Sequence, residues 1–188
     1  VYKRQVVNPY NKVISRVSLL PQDVEGFVFW TKNIGPFLKY LPDVQARNIP
    51  FVVQHTINGY PHTLEQSVVD AAKSVQHVRQ LADQCGPLAC VWRYDTILLT
   101  SLTPREFHLN TFARLAKDLE GATDEVVISF AHVYKKTLRN VKQAAREFGF
   151  DWSDPDMEWK RSLAMELVEI AAAHNMQLTV CSQPDFVV

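Results

Sequence analysis

Lys32, Arg93 and Asp95 have the clearest capacity for chemistry in this sequence, because each falls at the end of a short apolar run. Their surroundings read Trp30-Thr31-Lys32-Asn33 and Trp92-Arg93-Tyr94-Asp95. Three further runs end in Gln54-His55-Thr56-Ile57-Asn58, Ser129-Phe130-Ala131-His132 and Cys181-Ser182-Gln183. Lys32 and Arg93 offer cations to a carboxylate or phosphate. Asp95 can orient Arg93 or accept from a hydroxyl, and Gln54 and Asn58 can hydrogen-bond a polar ligand. Thr31, Asn33 and Ser129 add short polar groups at the same ends, and Tyr94, Trp30 and Trp92 add aromatic faces.

Each of these residues also has a plainer reading. Alternation along a strand places Arg93 and Asp95 on one face, where they can form a purely structural ion pair. Lys32 also reads as a solvated loop lysine. The tryptophans read as core or rim packing. His77, His108 and His174 fall in helical stretches and are expected at the surface or rim. His55 and His132 lie at strand ends and, with Asp95, would make up a metal site, but no H-x-H or H-E-x-x-H spacing supports one. Cys85 and Cys90 flank a turn and read as small hydrophobes.

Positioning these residues requires strands, and the apolar runs supply them at 13–19, 27–31, 51–56, 89–94, 126–130 and 178–181. The middle runs are continuously apolar, as in strands covered on both faces. Helical spacing links Val68, Ala72, Val75, Val78, Ala82 and Cys85, then Phe107, Thr111, Leu115 and Leu119. It returns in Trp159, Leu163, Leu167, Ile170 and Ala171. Thr103-Pro104-Arg105-Glu106 reads as a capping box with Thr103 as N-cap, and Asp154-Pro155-Asp156 repeats the pattern from Asp154. Gly86, Gly121 and Gly149 read as stops. Pro42 is expected to break the 34–48 stretch into two short helices.

Repeated β–α units imply parallel strands joined by right-handed crossovers. With six glycines in 188 residues and neither a G-x-G-x-x-G nor a phosphate-loop string, a dinucleotide-binding doubly wound sheet has no support. Polar residues gather instead behind strand after strand, where a barrel builds its site. The expected fold is therefore α/β, a partial (β/α) barrel with parallel strands alternating with helices.

Composition excludes several function classes. Hydrophobic residues make up 47% and charged residues 21%, as in ordinary globular domains. Twenty cationic side chains balance twenty anionic ones, which removes the whole-chain charge expected of a general nucleic-acid or membrane-surface binder. Three cysteines, without metal-ligand spacing, suit a reducing cytoplasm. No repeat or linker divides residues 6–188, so one domain is expected there. Val1 to Gln5 reads like the translated end of a transposon used in sequencing libraries, and is expected to be an assembly artefact. The Phe186-Val187-Val188 end carries no punctuation, and both ends read as cut.

Several strings occur together, in this order, in one bacterial family. They are Val7-Asn8-Pro9-Tyr10-Asn11, Val17-Ser18-Leu19, Val28-Phe29-Trp30-Thr31-Lys32-Asn33, Gly59-Tyr60-Pro61 and Val91-Trp92-Arg93-Tyr94-Asp95. On these strings the chain resembles domain of unknown function 1848, from about Val6 to its end, with Ile34 and Thr96 where that family usually has proline. The resemblance implies a relative of the radical S-adenosylmethionine enzymes with a partial barrel. It also implies a C-x-x-x-C-x-x-C cluster that would hold four-iron chemistry beyond residue 188, and an upstream first-strand region that this chain lacks. On that reading the chain is the central part of such an enzyme, inactive alone and holding no iron–sulfur cluster. Thr31, Lys32, Asn33, Gln54, Asn58, Arg93, Tyr94, Asp95 and Ser129 would face a small-molecule cofactor, S-adenosylmethionine. Two alternatives remain: a (β/α) hydrolase or lyase using Asp95 with His55 or His132 and a divalent metal, and a non-catalytic interaction domain.

Overall fold

A computed structural model of the chain describes residues 3–132, 134–183 and 186, with the backbone alone at Lys136. Tyr2, Val187 and Val188, which belong to the two chain ends discussed above, lie outside these residues, as does Val1. Five strands form a parallel sheet: β3 (Phe27–Thr31), β4 (Phe51–Thr56), β5 (Cys90–Ile97), β7 (Glu125–Phe130) and β9 (Gln177–Val180). Their spatial order is their order along the chain. The sheet does not close into a barrel.

Two short antiparallel pairs stand apart from it. β1 (Lys3–Val7) and β2 (Ile14–Ser18) make a hairpin. The strand expected over 13–19 therefore exists but lies outside the parallel sheet. Its exposed, polar-interrupted sequence, Ile-Ser-Arg-Val-Ser, suits a two-stranded ribbon better than a covered interior. β6 (Leu99–Thr100) and β8 (Trp152–Ser153) form the second pair.

The helices are α1 (Gly35–Leu38), α2 (Leu41–Gln45), α3 (Ala71–Cys85), α4 (Arg105–Leu119), α5 (Lys135–Phe148) and α6 (Met157–Ala173). Pro42 sits in the first turn of α2, where its missing N–H costs nothing, and the 34–48 stretch is two short helices. Val68 lies outside α3, because Asp70 takes the N-cap and its carboxylate accepts from Ala72 N at 2.8 Å. Thr103 does not cap α4. Its hydroxyl donates to Leu98 O at 2.7 Å, and the helix starts after Pro104. Asp156, rather than Asp154, caps α6 by accepting from Trp159 N at 2.8 Å, while Asp154 pairs with Lys160. Gly149 ends α5 in the left-handed region at φ 68°, which an L side chain adopts only with strain.

One face of the sheet holds the core. Val53, Trp92, Tyr94, Val126 and Ile128 point to it and meet Leu81 of α3, Phe112 of α4 and Leu167 of α6. Phe112 stacks on Trp92 with ring centroids 4.7 Å apart, and Tyr94 meets its edge at 5.2 Å. His108 is fully buried on this face, contrary to the expectation of a surface position. Its Nδ1 lies 2.9 Å from the Tyr94 hydroxyl and its Nε2 3.2 Å from Leu98 O, and these partners make burial tolerable. His77 is largely buried as well, against the turn at Gly35, and His174 is half-buried beside Glu120. The middle strands are thus covered by helices on one face, not on both as their apolar runs suggest.

α5 ends at the Gly149 stop expected from the sequence, and its apolar residues Leu138, Val141, Ala145 and Phe148 recur at helical spacing among basic ones. It does not join the main core. Its Asn140, Val141 and Ala144 lie opposite Asn58, Thr96 and Leu98, across the carboxyl ends of the strands. The β6–β8 pair fixes the chain on the far side of it.

Burial depresses His55 and His108 to pKa values of about 4, the cost of charging them away from water outweighing the backbone hydrogen bonds that favour the charged form. Both are ordinary imidazoles when unfolded, so protons bind the unfolded chain first as pH falls. Stability should be full above about pH 6.5 and fall between pH 6.5 and 4, by about 3 kcal/mol for each residue. Urea melts across this range check the effect. A midpoint unchanged from pH 7 to 4.5 would contradict it.

Candidate functional site

Strand parity builds the site. Core-facing Val53, His55, Trp92 and Tyr94 alternate with Gln54, Arg93 and Asp95, which point to the other face of the sheet. Parallel register then staggers same-face polar side chains towards the carboxyl ends: Trp30 on β3 is level with Gln54 on β4, Arg93 on β5 is level with Thr56 two residues further on, and Asp95 on β5 and Ser129 on β7 lie beyond. Cys181, immediately after β9, completes the row.

The Arg93 guanidinium is its centre. Nε donates to Asp95 Oδ2 at 2.9 Å, Nη2 donates to the same oxygen, and Nη1 donates to Gln54 Oε1 at 2.7 Å. The Trp30 indole N–H also donates to Gln54, and its ring lies 5.3 Å from the guanidinium carbon. Asp95 Oδ1 accepts from Ser129 and, at 2.9 Å, from Thr96. Burial raises the Asp95 carboxyl, but the bonds from Ser129, Arg93 and Thr96, with the Arg93 charge, outweigh it and leave the group below its usual value. Burial likewise works against the Arg93 charge and is outweighed by Cys181 and Asp95. Arg93 and Ser182 lower the Cys181 thiol.

A second group lies beside the first. Lys32 pairs with Glu65, Asn58 donates to Glu65 Oε1 at 3.1 Å, and the same amide donates to Asp95 O at 3.2 Å. Asn58 Oδ1 is buried without a partner among the described residues. Tyr60 clamps the end of β5, its hydroxyl donating to Thr96 O at 2.6 Å and accepting from Leu98 N at 2.8 Å. Between this loop and α5 is a cavity of about 330 Å³, mainly apolar, with Lys32, Glu65 and Thr96 on its wall. A second cavity of about 320 Å³ lies on the other side of Asn58, towards Asp70 and Arg114. Gly59, at φ 62°, allows the loop to run against α4, where a Cβ would come within 2.8 Å of Thr111.

The structure therefore brings together Gln54, Arg93, Asp95 and Ser129, and joins Lys32 and Asn58 to them through the Asp95 carbonyl. Thr31 and Asn33 serve the turn before α1, accepting from Asn33 N at 2.9 Å and Gly35 N at 3.1 Å. Tyr94 belongs to the opposite, helix-covered face, since it is the odd residue out in an alternating strand. His55 is there too, so the pairing of His55 with Asp95 considered from sequence is broken by the sheet itself. Among the described residues no three His, Cys, Asp or Glu side chains group as metal ligands. Glu65, Thr96 and Cys181 were missed by sequence reasoning. Parity from Ser129 through the neighbouring strand could have suggested Cys181, whereas Glu65 arrives from a loop without periodicity.

Removing either member of the Arg93–Asp95 pair leaves a largely buried charge, whereas the side chains of the Arg114–Asp118 pair are 52% and 47% exposed. Asp95→Ala should cost about 3 kcal/mol. Arg114→Ala should cost under about 1 kcal/mol. Equal losses in chemical melts would show that the Arg93–Asp95 pair is as weakly desolvated as a surface contact.

No curated protein and no solved structure matches the chain. One family model does, over residues 3–187, and its description is a domain of unknown function (DUF1848). With nearly the whole length matched, the chain belongs to that family.

Proposed function

We propose that the carboxyl ends of the parallel strands form the ligand-binding wall of a radical S-adenosylmethionine-like enzyme, with Arg93 as its anion anchor. The observation that carries this reading is the polar row on the sheet face opposite the helical core, drawn from four consecutive parallel strands and from Cys181 just after the fifth. Sequential strand order is that of a (β/α) barrel rather than a doubly wound sheet, in which order reverses about a switch point. Ligands of such folds collect at the carboxyl ends of the strands, and the row and the cavity beneath α5 both lie there.

The charges favour a zwitterion. Arg93 is balanced by Asp95 and Lys32 by Glu65, so the wall holds both signs with little net charge. The α-amino acid end of S-adenosylmethionine carries a carboxylate and an ammonium group and suits that pattern. Three of the five Arg93 N–H groups serve Asp95 and Gln54, leaving two for Cys181 and a ligand carboxylate. Trp30, 71% exposed and lying over the guanidinium, offers an aromatic surface beside it.

The cysteines present do not fit an iron–sulfur cluster. Cys85 ends α3, Cys90 opens β5 at the amino end of the sheet, and Cys181 alone stands at the carboxyl end. No step through a cluster is assigned to these residues. Anaerobic reconstitution of residues 1–188 with iron and sulfide should give no thiolate-to-iron absorption. A stable visible chromophore would place the cluster donors within this chain.

The decisive experiment is an S-adenosylmethionine titration of the protein expressed from its complete reading frame, read by indole emission, with Trp30→Phe as control. Arg93→Lys should melt close to wild type yet bind roughly 10- to 100-fold more weakly, because lysine cannot reproduce the planar fork. Unchanged binding removes Arg93 from the site. A large loss of stability with unchanged affinity makes the pair structural.

A further inference from the structure

We propose that the outer face of α5, with the ring pair at its start, is a binding surface for single-stranded nucleic acid. The proposal does not depend on the reading of the strand ends as an S-adenosylmethionine site.

α5 carries Lys135, Lys136, Arg139, Lys142 and Arg146 against one acid, Glu147. Lys135, Arg139, Lys142 and Arg146 recur at steps of four, three and four, which sets them in one stripe about 16 Å long. All four are exposed. Arg139, Lys142 and Arg146 surround one shallow depression with Gln143 and Glu147. None of the four has an ion pair among the described residues, although Arg93, Arg105, Lys32 and Lys160 all do. The zero net charge of the whole chain conceals this concentration.

A stripe of cations alone would suit any polyanion. The rings at its head narrow the choice. His132 and Tyr134 stand just before the first turn, stacked with centroids 5.7 Å apart, and Tyr134 is 69% exposed. Gln183 holds the His132 ring from behind, with Nε2 atoms 3.0 Å apart. An aromatic platform continuing into a cationic track matches a strand whose bases are free to stack while its phosphates follow the charges. A duplex hides its base faces, and an acidic peptide has none. An anionic membrane would draw on an apolar helix face, but Val141 and Ala144 of α5 are turned inward on the cavity.

The test is fluorescence anisotropy with labelled twenty-nucleotide single-stranded DNA and RNA across a salt series. Wild type should bind both or one of them with a slope of log K against log salt of about −3, roughly a 50-fold loss between 50 and 200 mM salt. The double variant Lys142→Ala/Arg146→Ala should flatten the slope to about −1.4. Tyr134→Ala should weaken binding roughly 5- to 150-fold. Melting curves of the variants should match wild type, since these side chains contribute nothing to the core. Four results would overturn the proposal: no binding at 50 mM salt, binding that both variants leave unchanged, equal capture of polyglutamate, or capture of phosphatidylserine vesicles with neither oligonucleotide bound.

Discussion

The handedness of the β–α–β crossover governs this molecule. A parallel connection turns to the right, so a chain that always adds its next strand on the same side lays every crossover helix on the same face. The observed order, β3-β4-β5-β7-β9, is such a progression. The helical core follows from it, with Trp92, Tyr94 and Phe112 at its centre. The other face receives no crossover helix. Side chains of the opposite parity then answer to one another and to a ligand, and Trp30, Gln54, Arg93, Asp95 and Ser129 do so.

What was legible in the sequence follows the strength of local periodicity. Five strands of the sheet and three long helices announced themselves because apolar residues recur with unbroken spacing. Their parallel alternation followed from the same pattern. Tyr94 stands at a strand end, but parity decides which face a residue serves, and it places Tyr94 in the core. His108 was read from its polarity, but a polar residue with two partners is as much at home in a core as an apolar one, and Tyr94 supplied the first of them. Cap assignments slipped by one or two residues where two candidates competed. Asp154 lost to Asp156 because Lys160 took its carboxylate. Glu65, brought by a loop, could not be read at all.

α5 shows how two roles can divide one helix. Its inward residues, Asn140, Val141 and Ala144, close a cavity at the strand ends, and its outward ones concentrate positive charge. Its Val141 and Ala144 face the cavity rather than the main core, and Gly149 ends it.

The energetics of Arg93 and Asp95 bear on why they are there. Desolvating two opposite charges recovers little net stability, and well-packed apolar residues in the same place are commonly as good or better. Val91 and Val127 lie nearly buried on this same face, so apolar packing was available to it. The pair instead recruits Gln54, Ser129, Thr96 and Cys181, each adding a fixed dipole aimed at a charge. Such a network confers more direction than stability. A guanidinium clamped through Nε and both terminal nitrogens cannot turn towards solvent, and its remaining donors stay aimed. Stability alone would select valine at these positions. Orientation selects the network that is present.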